Sequence, residues 1–271
     1  MLPYVELKVV AIGPFHLPVF GPLLVIAIVT ARHQILSRAR SEKRPDEPSM
    51  AMLSLVMLVC GMFGAHVAKL SEFYGAGALL ADPLLVFRQS RGIRSAGGIF
   101  GGLAGGILWC VANGFNGAKV LAMLDRIAFA LPFSWMIGRL GCALIHDHPG
   151  RPSNSWLAVD FPGGPRFDLG VLEFLFLIPL AVLFQILDRR ARPDGFYFGL
   201  FGVLYGALRV WLGTLQPEPI LWYSVGGLLG IAIGLSGWLA MAHYSKLDFP
   251  GIALTKQQPR HSEPQIRAFP R

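Results

Sequence analysis

The amino-acid sequence predicts an all-α polytopic membrane protein with about seven transmembrane helices, its N-terminus outside and its C-terminus in the cytoplasm. Composition is the first reason, because 54% of the 271 residues are hydrophobic and 15% are charged, whereas a typical soluble domain has about 25% charged residues. The mean hydropathy is +0.53. The second reason is that the apolar residues form stretches of about 20 residues, the length that crosses a bilayer.

These stretches define the predicted elements in chain order. The seven predicted spans are 15–31, 50–70, 96–113, 127–146, 168–187, 195–214 and 219–243. The third span consists mostly of Gly and Ala, which predicts a helix inside the bundle, where its neighbours can approach closely. We therefore expect one helical bundle over residues 1–245, with a short segment on the outer face around 147–167. Residues 246–271 are rich in proline and charge, which predicts a disordered, basic cytoplasmic tail.

The positions of the basic residues give the third reason and the orientation. Fifteen of the 24 lysines and arginines lie after the first, third and fifth spans and in the tail. The positive-inside rule assigns these segments to the cytoplasm. In a soluble protein a net charge of +8 would suggest nucleic acid as a partner. Here the basic residues lie between apolar runs, which indicates contact with anionic lipid headgroups and excludes a nucleic-acid partner.

Two arginines lie within predicted spans and are candidate functional residues. Arg139 is near the end of the fourth span, and Arg209 is inside the sixth, one helical turn after Tyr205. A central arginine costs at least about 2.5–3.5 kcal/mol on insertion scales, so it marks a functional site or needs a partner. Arginine matches phosphate oxygens with two parallel hydrogen bonds. If the two spans are neighbours, these arginines predict a phospholipid headgroup site; a snorkelling side chain or a structural ion pair is the alternative.

The sequence HDH, His146, Asp147 and His148, follows the fourth span. A histidine there is a candidate general base, with the carboxylate to orient it. The alternative is a polar turn that ends the helix. Two histidines around an aspartate also suggest zinc, but adjacent residues in a turn rarely supply three good ligands, so we predict neither a metal nor another cofactor. Cys60, Cys110 and Cys142 lie in apolar stretches and are interpreted as buried residues.

Several motifs together identify a family. DPLLVF, GGIFGGLAGG, IGRLG, HPGRP and RPDGFYFGLFGVLYGALR occur in an order that resembles the bacterial prolipoprotein diacylglyceryl transferases over residues 13–230. The family spacing is kept at Gly138, Arg139, Gly141, Tyr205, Gly206 and Arg209. The resemblance implies a multi-pass enzyme of the bacterial inner membrane that needs no cofactor. Its partners would be phosphatidylglycerol and prolipoprotein signal peptides: the diacylglyceryl group moves to the lipobox cysteine thiol, and glycerol 1-phosphate is released, as the first step of lipoprotein maturation.

The resemblance also implies roles for individual residues. Arg139 and Arg209 match the two arginines that handle the phosphate, and Tyr205 matches the tyrosine beside the second of them. Arg151, in HPGRP, matches an arginine that would orient the lipid or the carboxylate of Asp147. The expected supporting residues are Glu173, Gly97 and Gly98.

The departures from the family pattern concentrate on the base. The family's His-Gly-Gly, whose histidine is the favoured base, reads Ala96-Gly97-Gly98, and Cys142 stands where the family has asparagine. Asp147 replaces a glutamate. Either His146 or His148 has taken over as base with Asp147 as its partner, or the chain binds lipid or lipoprotein without catalysis. A different phospholipid-dependent transferase or a small transporter is the third interpretation.

Overall fold

The structure is a computed structural model that describes residues 1–13, 15–42, 46–88, 95–217 and 221–246. The predicted tail lies outside the described residues from 247 onward. The long helices are α1 Phe20–Glu42, α2 Glu47–Tyr74, α5 Ser95–Ala112, α6 Gly117–Ile145, α7 Leu169–Leu187, α8 Phe196–Thr214 and α9 Leu221–Lys246. Two short helices, α3 Ala76–Ala81 and α4 Leu85–Arg88, follow α2. The predicted all-α membrane fold is confirmed.

Six of the long helices have the length and composition to cross a membrane. The seventh is α5, whose described apolar stretch, Gly97–Ala112, is shorter. It corresponds to the predicted third span. The orientation relative to the membrane stays a prediction from the basic residues.

Helices α1 and α6 extend well beyond the predicted spans on one side of the bundle. Helix α1 continues to Glu42 and α6 already begins at Gly117, because the charged residues that ended the hydropathy windows are paired. Arg38 lies 2.9 Å from Glu42 and 2.7 Å from Asp188, and Arg126 lies 2.5 Å from Glu42. Arg126 also pairs with Asp194. We call Arg38, Glu42, Arg126, Asp188 and Asp194 the distal charge network.

Helix α6 is the central helix, in contact with α1, α7 and α8. Aromatic side chains connect α6 to α7 and α8. The ring of Phe129 on α6 lies 5.0 Å from that of Tyr197 on α8 and 6.1 Å from that of Phe184 on α7. Tyr197 and Phe184 are almost completely buried. The fourth and sixth predicted spans are therefore neighbours, as the headgroup hypothesis requires.

Glycines bring helices α2 and α5 into backbone contact. A Cβ atom on Gly97 would lie 2.3 Å from the carbonyl oxygen of Gly64, and one on Gly101 would lie 2.4 Å from that of Cys60. No larger side chain fits at these positions without separating the helices. The predicted close packing of the third span is confirmed, but its predicted position inside the bundle is wrong, because α5 is at the periphery with Leu108 and Val111 exposed.

Two small sheets at the other end of the bundle form what we call the head. A hairpin, β1 Val9–Ile12 and β2 Phe15–Pro18, precedes α1. The predicted start of the first span at residue 15 is therefore wrong, since these residues are extended and the helix begins at Phe20. Between α6 and α7 the chain forms an antiparallel sheet of β3 Pro149–Pro152, β5 Gly164–Asp168 and β4 Val159–Phe161, in that order.

Candidate functional site

Glu173 is the centre of a buried polar cluster inside the bundle. It lies on α7 with 1% of its surface exposed, and its Oε1 atom is 2.9 Å from Nε of Arg139 on α6. The hydroxyl of Tyr205 on α8 donates a hydrogen bond to the same oxygen. Nη1 of Arg209 lies 3.4 Å from the other oxygen, Oε2. We call these four residues the arginine–glutamate cluster.

The arginine–glutamate cluster contains two basic groups and one acidic group. One carboxylate faces two guanidinium groups, so these three groups sum to a formal charge of +1. A buried carboxylate is tolerated only when it is paired, and both arginines fulfil that need. The side chain of Arg139 is 9% exposed and that of Arg209 is 24% exposed. Arg209 is therefore the more accessible of the two arginines.

Aromatic rings hold the Tyr205 side chain in place. Phe201 stacks on it at 5.1 Å between ring centroids, and Trp135 of α6 meets it edge-on at 5.5 Å. These contacts aim the hydroxyl at Glu173. The sequence predicted Tyr205, Arg139 and Arg209 as one site and Glu173 as a supporting residue; the structure brings all four together with the glutamate in the middle.

His146 contacts other residues through both nitrogens and through the face of its imidazole ring. It ends α6 in the left-handed conformation, with φ 52°, and its Nδ1 atom lies 2.7 Å from Oδ2 of the fully buried Asp168. Its Nε2 atom lies 3.2 Å from the carbonyl oxygen of Val5. The ring stacks on Tyr4 at 4.4 Å. Because both ring nitrogens are engaged, the geometry favours a structural role over the predicted role of general base.

Asp147 and His148 lie together beside Cys142, which the sequence analysis did not include among the candidate site residues. Nδ1 of His148 is 2.5 Å from Oδ1 of Asp147. This hydrogen bond, with a further one to Cys142, raises the pKa of His148 to about 10. His148 is then protonated at neutral pH, and a protonated imidazole cannot accept the proton of an incoming thiol. The predicted base is in the wrong protonation state for that step.

Cys142 links this pair to the arginine–glutamate cluster. Nη1 of Arg139 lies 3.9 Å from Sγ of Cys142, one helical turn further along α6. Cys142 is 7% exposed, as predicted for a buried cysteine. Its spacing of three residues from Arg139 was the available signal, because residues i and i+3 share a helix face. We call Cys142, Asp147 and His148 the Cys–Asp–His group.

The remaining predicted residues lie apart from the cluster. Gly97 and Gly98 face α2, where they permit the close helix contact. Arg151 is on β3, with an exposed side chain for which the described part of the chain shows no ion pair. Its backbone N–H donates to the carbonyl oxygen of Leu215, 2.8 Å away, which fastens β3 to the end of α8.

A cavity of about 470 Å³ opens between the hairpin of the head and the end of α6. Asp147 and Ile145 form one wall, and Lys8 and Phe20 are among the residues opposite. The carboxylate of Asp147 is therefore reachable from outside the bundle.

Comparison with known proteins decides the family. A family model described as "Prolipoprotein diacylglyceryl transferase" matches residues 8–245, most of the chain. The chain belongs to this family. The family match confirms the resemblance seen in the motifs, and it includes every residue of the arginine–glutamate cluster and of the Cys–Asp–His group.

Curated members of the prolipoprotein diacylglyceryl transferase family align along nearly their whole length. The phosphatidylglycerol–prolipoprotein diacylglyceryl transferase of Chromohalobacter salexigens is 29% identical, covering 91% of this chain and 95% of its own. The protein of that name from Aliivibrio fischeri is 28% identical, covering 92% and 94%. The one from Pseudomonas aeruginosa strain PAO1 is 27% identical, covering 91% and 96%.

Proposed function

We propose that this protein transfers the diacylglyceryl group of phosphatidylglycerol to the lipobox cysteine thiol of prolipoproteins and releases glycerol 1-phosphate. The observation that carries the proposal is the arginine–glutamate cluster, in which two arginines share one buried carboxylate. The names of the curated relatives state the same lipid donor and the same class of protein acceptor.

The cluster suits the departure of a phosphate. When the bond between the glyceryl carbon and the phosphate oxygen breaks, negative charge grows on that oxygen. Arg139 and Arg209 place two guanidinium groups where such charge is stabilised, and their positions are fixed beforehand by Glu173. The hydroxyl of Tyr205 also donates a hydrogen bond to Glu173 and so helps to fix its position.

The proposal includes the location and the partners. The chain is a multi-pass membrane protein, and we place it in the bacterial inner membrane with the cluster and the head toward the outer leaflet. Phosphatidylglycerol reaches the cluster from the bilayer. The signal peptide of a prolipoprotein brings its thiol to the Cys–Asp–His group, next to Arg139.

A second candidate is a relative that binds phospholipid or lipoprotein without catalysis. It is favoured by the state of the histidines, because both ring nitrogens of His146 are engaged and the pKa of His148 is raised to about 10. Ala96 occupies the position of the family's histidine. In this case the arginines would matter for binding and no histidine would matter for turnover.

The decisive experiment is transfer by the purified protein in detergent. Phosphatidylglycerol and a lipobox peptide are supplied, and both glycerol phosphate release and the mass increment on the peptide are measured. We expect Arg209→Ala to lower turnover about 10²–10³-fold, the usual effect of losing one donor to a developing oxyanion. Arg209→Lys keeps the charge and should retain part of the rate.

Arg151→Ala is the matched control, since its side chain is exposed on β3, and it should retain most of the activity. Folded wild-type protein that binds phosphatidylglycerol but never transfers it would contradict the transferase and support the binding relative. Turnover unchanged in Arg209→Ala would contradict the assignment of the phosphate site.

A further inference from the structure

The Cys–Asp–His group brings a thiol, a carboxylate and an imidazole to one place. One potential ligand atom of each residue lies within 4.8 Å of those of the other two. The arginine–glutamate cluster uses none of these three side chains in its own ion pairs. Zinc binds cysteine sulfur, histidine nitrogen and carboxylate oxygen, whereas magnesium and calcium favour oxygen alone.

The backbone explains how residues so close in sequence converge. Helix α6 ends at Ile145, and His146 adopts the left-handed conformation, its N–H donating to the carbonyl oxygen of Cys142 at 3.0 Å. This reversal carries Asp147 and His148 back to the last turn of the helix. The sequence argued against a metal because adjacent turn residues rarely give three ligands. In the structure one ligand is on the helix and two are on the segment that returns to it.

We propose that Cys142, Asp147 and His148 bind a Zn²⁺ ion. The ion would replace the proton that now links His148 to Asp147, and it would hold the Cys142 thiol as a thiolate. One thiolate, one carboxylate and one neutral imidazole balance the two charges of the ion. Three protein ligands leave the fourth position of a tetrahedral site open, the arrangement typical of catalytic rather than structural zinc.

The surroundings of the group support this assignment. Nη1 of Arg139, 3.9 Å from the sulfur, is placed to donate a hydrogen bond to a thiolate. The backbone of α7 packs against Cys142, since a Cβ atom on Gly170 would lie 3.2 Å from that of Cys142. The side chain of Asp147 is 38% exposed and that of His148 is 32% exposed. Asp147 also lines the cavity beneath the hairpin. The sulfur is therefore buried, whereas the carboxylate and the imidazole are partly exposed.

The open position fits the thiol of the acceptor peptide, an assignment that rests on the proposed function. The bound thiol would lose its proton to solvent and remain on the ion as a thiolate. Its sulfur attacks the glyceryl carbon: the carbon–sulfur bond forms, the carbon–oxygen bond to phosphate breaks, and the electron pair leaves on glycerol 1-phosphate. Arg139 contacts both the Cys–Asp–His group, where the thiolate would bind, and the arginine–glutamate cluster, where the phosphate would leave. A metal-bound thiolate needs no histidine base, which accounts for Ala96 in place of that histidine.

Metal content tests the site without any reference to activity. The protein is purified without a histidine tag, exposed to Zn²⁺, dialysed and analysed for metal and protein. We expect about one tightly held zinc per chain, lost in Cys142→Ser and in His148→Asn. The matched controls Cys110→Ser and His66→Asn should retain it, because Cys110 packs in a different buried cluster and His66 bonds to the carbonyl oxygen of Val86. Folded wild type without zinc, or zinc retained by Cys142→Ser, would overturn the proposal.

Cobalt substitution tests the open position. Co²⁺ in place of Zn²⁺ should give a thiolate-to-metal charge-transfer band that Cys142→Ser lacks. Adding a lipobox peptide should change the visible spectrum, whereas the same peptide with serine for cysteine should not. An unchanged spectrum with the cysteine peptide would overturn the thiol assignment.

Activity of the chelated and the metal-loaded protein separates this inference from the proposed function. Turnover lost with the metal and restored by Zn²⁺ supports both. Metal-loaded protein that never transfers would contradict the function and leave the metal site standing. Full turnover in metal-free protein, still dependent on His148, would overturn the zinc assignment and point to direct proton transfer within the Cys–Asp–His group.

Discussion

Glu173 shows what a single residue contributes to this molecule. It joins α6, α7 and α8 through contacts to Arg139, Tyr205 and Arg209. The sequence identified the two arginines and the tyrosine because charged residues in apolar stretches stand out, and because Tyr205 and Arg209 are one turn apart. The central position of the glutamate was not predictable, since it depends on which faces of three separate helices meet.

The role of His146 leads to a prediction on stability. We expect His146→Ala to destabilise the protein by about 1–3 kcal/mol, because Oδ2 of the completely buried Asp168 would lose its hydrogen-bond partner. Thermal unfolding in detergent measures the change. His33→Ala, at an exposed position of α1, should leave the melting temperature unaltered. A folded His146→Ala variant with normal stability and lost turnover would show that the ring takes part in the chemistry after all.

Helices were predictable from the sequence, but several of their ends and all the strands were not. Hydropathy located the seven long helices, yet α1 and α6 each continue about ten residues past the predicted limits. The charges that seemed to end them are neutralised by residues far away in sequence, as Arg126 is by Glu42 and Asp194. The strands of the head are three to five residues long, too short for a periodic pattern to be recognised.

The contact between α2 and α5 leads to a prediction at this scale. We expect Gly97→Ala to destabilise the protein by about 1–3 kcal/mol, the usual effect of overpacking, because the added methyl group would lie 2.3 Å from a backbone oxygen of Gly64. The melting temperature in detergent should fall while the folded fraction keeps its turnover. Gly21→Ala is the control, since a Cβ atom there meets nothing within 4 Å. Normal stability combined with lost turnover would instead indicate that Gly97 supports catalysis, as the sequence analysis expected.

At the scale of the whole molecule, two polar regions lie at different levels along α6. Arg126 and Arg139 are thirteen residues apart on α6, which corresponds to about 20 Å at the rise of an α-helix. The distal charge network lies at the first and the arginine–glutamate cluster toward the second. The basic segments predict that the distal charge network is cytoplasmic and that the head is outside.

This orientation can be tested by labelling single cysteines in cells. In a background with all three native cysteines replaced by serine, Asn154→Cys in the head should react with a membrane-impermeant maleimide in intact spheroplasts. Asn113→Cys, between α5 and α6, should react only after permeabilisation. Both positions are exposed, so access to solvent is matched. The reverse pattern would show that the chain is inserted the other way round.

The backbone bonds of the first few residues set an order of events during synthesis. Leu7 donates to the carbonyl oxygen of Leu144, and Leu2 exchanges hydrogen bonds with Ala158 and Asp160. These partners leave the ribosome more than 130 residues later, on the last turn of α6 and in the segment that follows it. Residues 2–7 therefore reach these partners only after α1, α2, α5 and α6 have been synthesised, and Leu2 only after β4 as well. Attachment of Leu2 and Leu7 to these partners is therefore a late step of folding, and a tag or fusion placed directly before Leu2 would act on that step.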